Sequence, residues 1–217
     1  MSGILIAGRS FGGFDMDRTL PPIVLGTRFV DAVALATELH ARQTRKGGRI
    51  PYLSHLLIVA GTVLENGGDE DEAIAALLHD AAEDQGGRST LDCIRARFGD
   101  KVAGIVGDCT DSFEDPKPAW RPRKERYVAH LAAAGPSTKR VAGSDKVHNL
   151  SRTLADYRAA PDKSAFWSRF NSTGRDQAWY YGECLKAIEG PDALPLLGEF
   201  RRCYAEFVAA LEEGGDV

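Results

Sequence analysis

The residues with the clearest potential for chemistry lie in the short stretch 77–84, which reads Leu-Leu-His-Asp-Ala-Ala-Glu-Asp and follows an apolar run. A helix that is apolar on all sides is usually buried. Burying a histidine beside a carboxylate costs free energy unless the charge is paired or ligates a metal. On a helix, His79 and Glu83 form one column of side chains, and Asp80 and Asp84 form the next. The stretch is therefore suited to metal binding and proton transfer, whereas the alternative is a helix C-terminal turn with surface acids.

Two further stretches offer residues that could complete a metal site. Residues 45–55 end with His55 near the first turn of a predicted helix, and residues 143–150 place Asp145 in an otherwise apolar helical setting. Two imidazoles and two carboxylates suit a divalent transition ion that keeps open positions for water and substrate. The alternative is a buried polar network without a metal. The candidate ligands are His55, His79, Asp80 and Asp145.

The elements that must position these residues are helices. No strand-like alternation of useful length follows residue 27, although residues 4–6 have the character of a short strand. Internal repeats are absent, so the pattern predicts a single all-α domain. Helical spacing, capping residues and glycine or proline stops predict helices over 27 to the Gly47-Gly48 pair, 55–65, 69–84, 89–98, 100–113, 123–134, 137–157, 161–188 and from Pro191 onward.

Three regions follow from this pattern. Residues 1–26 are rich in glycine and form a partly ordered N-terminal extension, residues 27–190 form the helical domain, and residues 191–217 form a C-terminal helix packed on it. The last helix repeats apolar residues at i, i+3, i+4 and i+7, which indicates core packing rather than a partner-binding face.

Composition limits the function classes. The chain has 217 residues, of which 43% are hydrophobic and 27% charged, and its net charge is −4. This charge gives no support to binding of DNA, RNA or a membrane driven by overall charge, and no apolar run reaches the roughly 18 residues that span a bilayer. Without a signal peptide or a Cys-x-x-Cys pair, a cytoplasmic protein with reduced thiols is expected. The four cysteines are Cys93, Cys109, Cys184 and Cys203.

Taken together and in order, five blocks of this chain resemble the HD phosphohydrolase superfamily. More narrowly, they resemble the alarmone hydrolases of the stringent response, which are related to the hydrolase half of the Rel/Spo enzymes. The resemblance covers roughly residues 28–190. The blocks are Arg45-Lys46, Pro51-Tyr52-x-x-His55, Ala76-Leu77-Leu78-His79-Asp80-x-x-Glu83-Asp84, Phe98-Gly99-x-x-Val102 and Asp145-Lys146-x-His148-Asn149-Leu150.

The resemblance implies an HD-domain helical bundle with a divalent metal site at its centre. It implies manganese as the ion, with the four candidate ligands named above, and it gives Glu83 and Asp84 the task of positioning and deprotonating the attacking water. A carboxylate within reach of such a water can act as a general base. The alternative for these two carboxylates is a solvated helix end.

The resemblance also implies a nucleotide site. Arg45 and Lys46 would contact the base and its phosphates, and Asn149 would contact the ribose or a phosphate. Arg123 and Lys124 belong to a basic cluster that could hold phosphates, with a solvated helix start as the alternative, and Tyr180 would close over the base unless it belongs to the core. This chain departs from the family after Asn149, where it is one residue longer, and over residues 158–183, which match the long enzymes poorly.

The expected activity is that of a guanosine-3′,5′-bis(diphosphate) 3′-pyrophosphohydrolase, which releases pyrophosphate and GDP or GTP. Adenosine alarmones or another nucleotide phosphate such as NADPH are alternative substrates, and an enzyme of this kind can serve as antitoxin to a small alarmone synthetase. A non-catalytic alarmone-binding or protein-binding module is the alternative from another class. The expected partner is a small-molecule nucleotide, and the sequence leaves a homo-oligomer open.

Overall fold

Helices make up the regular structure of this protein. The computed structural model describes residues 22–114, 116–190 and 194–216, and within them it contains no strand, only an isolated antiparallel bridge between Thr44 and Pro51. The all-α prediction is therefore confirmed for the described residues. The helices are α1 (Thr27–Leu39), α2 (Leu53–Glu65), α3 (Glu70–Leu78), α4 (Ala81–Asp84), α5 (Gly87–Phe98), α6 (Asp100–Cys109), α7 (Trp120–Ala133), α8 (Pro136–Ala159), α9 (Lys163–Trp167), α10 (Gly174–Ile188) and α11 (Leu197–Gly214).

Helix α3 lies at the centre of the bundle. Residues 73–78 are completely buried, as their apolar character on all sides predicts. Helices α1, α2, α6 and α8 pack around α3. The helix begins with a capping box, in which the Asp69 side chain accepts a hydrogen bond from the Glu72 backbone and the Glu72 side chain accepts one from the Asp69 backbone.

The central helix is shorter than predicted. Instead of running from residue 69 to 84, α3 ends at Leu78 and α4 begins after Asp80. His79 follows the end of α3, and its Nδ1 atom lies 2.8 Å from the Ala76 carbonyl oxygen of that helix. His79 and Asp80 therefore lie in the turn between two helices, although the Asp84 backbone N–H still donates to the Asp80 carbonyl oxygen at 2.9 Å, as in a helix.

The first helix also ends earlier than predicted, at Leu39 rather than at Gly47-Gly48. Residues 40–52 form a loop instead, which we call the α1–α2 loop. Two backbone hydrogen bonds hold it, from Arg45 N to Ile50 O at 2.8 Å and from Tyr52 N to Gln43 O at 2.9 Å. Gly47 turns this loop with a φ of +78°, a conformation that other residues rarely adopt.

Other helix boundaries shift for local reasons. The segment predicted as one helix over 161–188 divides into α9 and α10, because Thr173 and Asp176 form a capping box that starts a new helix. The helix predicted to end at residue 113 ends at Cys109, and the last helix begins at Leu197. The predicted strand at residues 4–6, most of the N-terminal extension and Pro191 lie outside the described residues.

Helix α8 is the long support of the site and carries Asp145, Lys146, His148 and Asn149. Helix α11 packs on α8 and α10, and its Phe200 and Phe207 are completely buried. Among the described helices, none combines the length and apolar character needed to cross a membrane.

Candidate functional site

The structure brings the four predicted ligands together from three helices. His55 lies near the start of α2, His79 and Asp80 follow α3, and Asp145 lies in the middle of α8. His55 Nε2 lies 3.1 Å from Asp145 Oδ1 and 3.6 Å from Asp80 Oδ2. His79 Nε2 lies 2.9 Å from Asp80 Oδ2 and 3.5 Å from Asp145 Oδ1. We call these four residues the His/Asp cluster.

The contacts in the His/Asp cluster are close, yet they are not hydrogen bonds. The Nε2 atoms of His55 and His79 are buried and have no hydrogen-bond partner among the described residues. Donor atoms of His55, His79 and Asp80 all lie within 4.8 Å of one another, a spacing that allows one metal ion. Asp145 falls outside that mutual set, but its contacts with both imidazoles place it at the same centre. Two nitrogens and two carboxylates that converge without sharing protons fit a divalent cation.

The outer nitrogen of each imidazole determines which nitrogen faces the cluster. Because the Ala76 carbonyl oxygen can only accept, the Nδ1 atom of His79 carries the hydrogen and the Nε2 atom of the neutral ring keeps its lone pair. The Nδ1 atoms of His55 and His148 lie 2.6 Å apart, so one donates to the other. Burial, followed by the unfavourable electrostatic effects of His55 and Arg45, lowers the pKa of His148 to about 4. A neutral His148 can accept from His55 and leave Nε2 of His55 available as a ligand.

Hydrogen bonds also fix both carboxylates of the His/Asp cluster. The Tyr52 hydroxyl donates to Asp80 Oδ2 at 2.6 Å. Asn149 Nδ2 donates to Asp145 Oδ1 at 2.5 Å, and Lys146 Nζ donates to Asp145 Oδ2 at 2.5 Å. Burial raises the pKa of the Tyr52 hydroxyl and Asp80 raises it further, so this group remains a donor.

Electrostatics around the His/Asp cluster favour a cation. Burial opposes a charge on His79, but the carboxylates of Asp80 and Asp145 outweigh it and raise the pKa of His79 well above its usual value. Burial likewise disfavours the charged form of Asp145, yet Lys146 and the two imidazoles hold the pKa of Asp145 well below its usual value. The carboxylates of Asp80 and Asp145 therefore favour positive charge at the centre of the His/Asp cluster.

Glu83 and Asp84 follow Asp80 on α4, and each is held by a polar partner. Lys117 Nζ donates to Glu83 Oε1 at 2.7 Å, and the Asp111 backbone N–H donates to Glu83 Oε2 at 3.2 Å. Gln43 donates to Asp84 Oδ2 at 2.8 Å. Burial raises the pKa of Glu83, and the charges of Asp111 and Asp80 raise it further, against the opposing effect of Lys117.

Beside the His/Asp cluster lies a cavity of about 1020 Å³, formed mainly by the α1–α2 loop, α8 and residues 160–170, with a smaller contribution from α10. It reaches the cluster through Tyr52 and His148, which line it and contact Asp80 and His55. Glu83 and Asp84 do not line this cavity. Five of the six predicted substrate residues do line it: Arg45, Lys46, Asn149, Lys124 and Tyr180.

The sixth predicted substrate residue, Arg123, is placed elsewhere. Its Nη1 atom pairs with Asp111, and Lys124 Nζ donates to the same carboxylate at 2.5 Å. The side chain of Asp111 is only 3% exposed. Arg123 therefore pairs with the buried carboxylate of Asp111 and does not line the cavity. Lys124 contacts this carboxylate and also lines the cavity.

Comparison with known proteins identifies the family to which this arrangement belongs. Residues 32–165, which contain all four residues of the His/Asp cluster, match the HD domain family. This chain belongs to the HD domain family. The predicted resemblance to HD hydrolases is confirmed.

The HD domain of this chain also has curated relatives. It is 36% identical over 124 residues to a Xenopus tropicalis protein named guanosine-3′,5′-bis(diphosphate) 3′-pyrophosphohydrolase MESH1, covering 56% of this chain and 66% of the relative. A Drosophila melanogaster protein of the same name is 30% identical over 127 residues, covering 57% of this chain and 68% of the relative. A probable guanosine-3′,5′-bis(diphosphate) 3′-pyrophosphohydrolase of Synechocystis is 39% identical over 94 residues, covering 43% of this chain and only 12% of its own length.

Solved structures share the fold of this HD domain. A metazoan ortholog of SpoT, described as hydrolysing ppGpp, superposes with a TM-score of 0.65 at 20% identity, covering 90% of this chain and 100% of the other. At that identity the likeness concerns the fold alone. The lmo0812 protein of Listeria monocytogenes superposes with a TM-score of 0.60 at 28% identity, covering 74% of this chain and 99% of the other.

Sequence reasoning missed several residues of this HD domain that contact the site. His148 is not among the site residues predicted from the sequence, but it contacts His55. Its spacing of three from Asp145 on a helix was the available signal, because such residues share a face. His40, for which no partner was predicted, lies buried with its Nδ1 atom 2.6 Å from Gln43 Oε1. Arg152 and Arg169 add positive charge to the cavity wall.

Proposed function

We propose that this chain is a manganese-dependent phosphohydrolase that removes the 3′-pyrophosphate of guanosine alarmones, releasing pyrophosphate and GDP or GTP. The observation that carries the proposal is the pair of buried imidazole nitrogens without hydrogen-bond partners, which converge with two carboxylates beside a cavity lined by cations. The names of the curated relatives agree with this chemistry.

In this proposal, His55, His79, Asp80 and Asp145 would hold the ion. When bound, a divalent ion lowers the pKa of water and draws charge from phosphoryl oxygens. The protein supports this by fixing the donor atoms: Ala76 and His148 orient the two imidazoles, and Tyr52 orients Asp80. Hydrogen bonds of this outer kind commonly set the tautomer and direction of metal ligands.

Glu83 and Asp84 are proposed to take the proton from the attacking water. The raised pKa of Glu83 suits a general base, because proton transfer is most efficient when the pKa of the base lies near the working pH. Lys117 and Gln43 hold the two carboxylates in place.

The cavity is proposed to hold the nucleotide. Its volume of about 1020 Å³ is at the upper end of the range for small-molecule sites, roughly 300–1000 Å³. Arg45, Lys46, Lys124 and Lys146 line it and can pair with phosphates, although the chain as a whole carries a net charge of −4. Tyr180 is only 5% exposed and belongs to the hydrophobic core, so it forms part of the cavity wall rather than a ring that closes over the base.

The test is a turnover assay on protein stripped of metal and reloaded with manganese. The panel comprises guanosine tetraphosphate and pentaphosphate, their adenosine counterparts and NADPH, with release of pyrophosphate or phosphate as the readout. We expect pyrophosphate from the guanosine alarmones, none after chelation, and none from an Asp80→Ala variant. If an adenosine alarmone or NADPH is hydrolysed faster, that nucleotide becomes the proposed substrate. If the nucleotides bind but none is hydrolysed, the chain is an alarmone-binding module.

A further inference from the structure

The α1–α2 loop contacts three separate parts of the site. Arg45 lines the nucleotide cavity and donates to Asn149 at 2.7 Å, while Tyr52 donates to the ligand Asp80. Gln43, in the same loop, donates from Nε2 to Asp84 Oδ2 at 2.8 Å. Because Tyr52 N donates to Gln43 O, the two ends of the loop are tied to each other.

The partners of Gln43 determine the direction of its side-chain amide. An ionised carboxylate can only accept, so the NH₂ group of Gln43 must face Asp84. Its carbonyl oxygen Oε1 then faces two nitrogens, Nδ1 of His40 at 2.6 Å and Nε2 of Gln85 at 2.7 Å. A carbonyl oxygen needs donors, so the His40 ring must carry its hydrogen on Nδ1. The hydrogen bonds of Asp84, His40 and Gln85 are therefore all consistent with a single orientation of the Gln43 amide.

His40 is held in a way that makes this orientation firm. It is 3% exposed, and its ring stacks on that of Tyr52 with centroids 5.3 Å apart. Its backbone closes α1 through a hydrogen bond from His40 N to Ala36 O at 3.1 Å. Because the His40 ring is buried and stacked on Tyr52, it has little freedom to turn. It therefore presents Nδ1 to Gln43 in one direction.

We propose that Gln43 is a positioning residue, which His40 and Gln85 orient and which in turn fixes the carboxylate of Asp84. The inference rests on the proposed function, in which Asp84 helps to take the proton from water. The neutral donor of Gln43 holds Oδ2 of Asp84, whereas Oδ1 lies 3.8 Å from Lys117 Nζ, beyond hydrogen-bond distance. The α1–α2 loop thus carries both Arg45 and Lys46, which line the proposed nucleotide cavity, and Gln43, which orients the proposed catalytic carboxylate of Asp84.

The kinetic test compares Gln43→Leu with the wild-type protein. We expect kcat on the nucleotide substrate to fall roughly 10- to 100-fold, because a small misplacement of a reacting group has a large effect on rate. KM and the bound manganese should stay within about twofold, since Gln43 contacts neither the cavity nor the His/Asp cluster directly. Asn66→Leu is the matched control, because among the described residues the Asn66 side chain bonds only to the Thr62 carbonyl in the last turn of α2. Its kcat should be unchanged.

Two further comparisons separate positioning from a structural role. In an Asp84→Asn background, Gln43→Leu should have little additional effect on kcat, whereas independent effects would multiply. His40→Asn retains a donor close to the position of Nδ1 and should keep most of the activity, while His40→Phe keeps the ring and should lose it. Multiplying losses in the double variant, or equal losses in the two His40 variants, would overturn the inference.

A measurement without substrate keeps the inference separate from the proposed function. The side-chain amide protons of Gln43 should show a shifted ¹H–¹⁵N resonance in the wild-type protein that moves in Asp84→Ala but not in Asn66→Leu. If no nucleotide is hydrolysed, the proposed function fails, and this resonance still decides whether Gln43 fixes Asp84. An unmoved Gln43 resonance in Asp84→Ala would refute the positioning itself.

Discussion

Glu83 and Asp84 are neighbours in sequence, but their surroundings differ. Glu83 is paired with a lysine and a backbone N–H group, and burial raises its pKa. Asp84 receives a neutral amide from Gln43, and Lys117 lies 3.8 Å from its Oδ1 atom. The two carboxylates are thus held by separate groups, and each can be replaced without removing a residue of the His/Asp cluster.

The first prediction follows from that separation. A Glu83→Gln, Asp84→Asn double variant should bind manganese and nucleotide normally, because both amides keep the volume of the side chains they replace. Turnover should fall about 10²- to 10⁴-fold, which is the usual contribution of a general base. Metal analysis, a nucleotide titration and kcat measure the three properties, and a near-normal kcat would exclude this role.

The second prediction concerns acid stability and depends on Asp111. Burial disfavours its charge, but Lys124 and Arg123 outweigh burial and lower the pKa of Asp111 to about 2. A folded-state pKa below the ordinary value of about 3.9 stabilises the fold above pH 4, and this contribution is lost as the pH falls through 2.

Asp111→Asn should therefore reduce the free energy of unfolding at pH 7 by about 2 kcal/mol. Because a protonated aspartate resembles asparagine, the difference between variant and wild-type protein should shrink as the pH falls from 4 to 2. Urea unfolding at several pH values measures it. A difference that stayed constant with pH would show that the ion pairs of Asp111 contribute nothing to acid sensitivity.

At the scale of elements, the site depends on how α3 is set against α8, since α8 and the turn that follows α3 supply three of the four predicted ligands. Besides apolar packing, one buried ion pair connects them: Arg140 Nη1 on α8 lies 2.6 Å from both carboxylate oxygens of Glu72 on α3. The Glu72 side chain is 5% exposed and also belongs to the capping box of α3. This pair fixes the two helices close to the start of α3.

Arg140→Met should destabilise the protein by about 3 kcal/mol, because removing one partner leaves a buried carboxylate without its counter-charge. Arg158→Met is the matched control on the same helix, since Arg158 pairs with Glu206 at the surface, with both side chains more than half exposed. That pair should contribute less than about 1 kcal/mol. Chemical unfolding compares the two variants, and equal effects would show that the Glu72–Arg140 pair does not anchor α3 to α8.

At the scale of the whole molecule, the proposed ligands come from α2, the turn after α3, and α8. An ion bound by all four residues would link three helices that are distant in sequence. A ligand that binds only the folded state stabilises it by RT ln(1 + [L]/Kd), which is about 2.7 kcal/mol when the ligand is at 100 times its Kd.

Manganese should therefore raise the melting temperature of the metal-free protein in a concentration-dependent way, and a chelator should reverse the effect. Asp80→Ala should remove most of the response, whereas the Arg158→Met surface variant should keep it. Calorimetry or a thermal shift measurement with manganese and with magnesium tests both points. An identical response in Asp80→Ala would mean that the stabilising ion binds elsewhere.

Much of this protein could be predicted from its sequence because the signals are local. The apolar run before His79 predicted a fully buried helix, and the periodic apolar residues predicted an all-α fold. His79, Asp80 and Asp145 were recognisable as candidate ligands because their segments set an imidazole or carboxylate beside apolar residues. His55 was recognisable by its place near a helix start and by the order of the segments, which is that of a known family. Burial of α3 and the family membership of the chain are both confirmed.

Contacts between distant segments were decided only by the tertiary structure. On an ideal helix, the side chains of His79 and Asp80 would point about 100° apart. In the structure, His79 Nε2 and Asp80 Oδ2 lie 2.9 Å apart in the turn after Leu78. The loop after Leu39 replaces a helix because its hydrogen bonds join residues 43 and 52, a pairing that helical periodicity cannot show. Arg123 likewise turns from the cavity to Asp111 because a buried carboxylate requires a counter-charge, and neither residue indicates the other in the sequence.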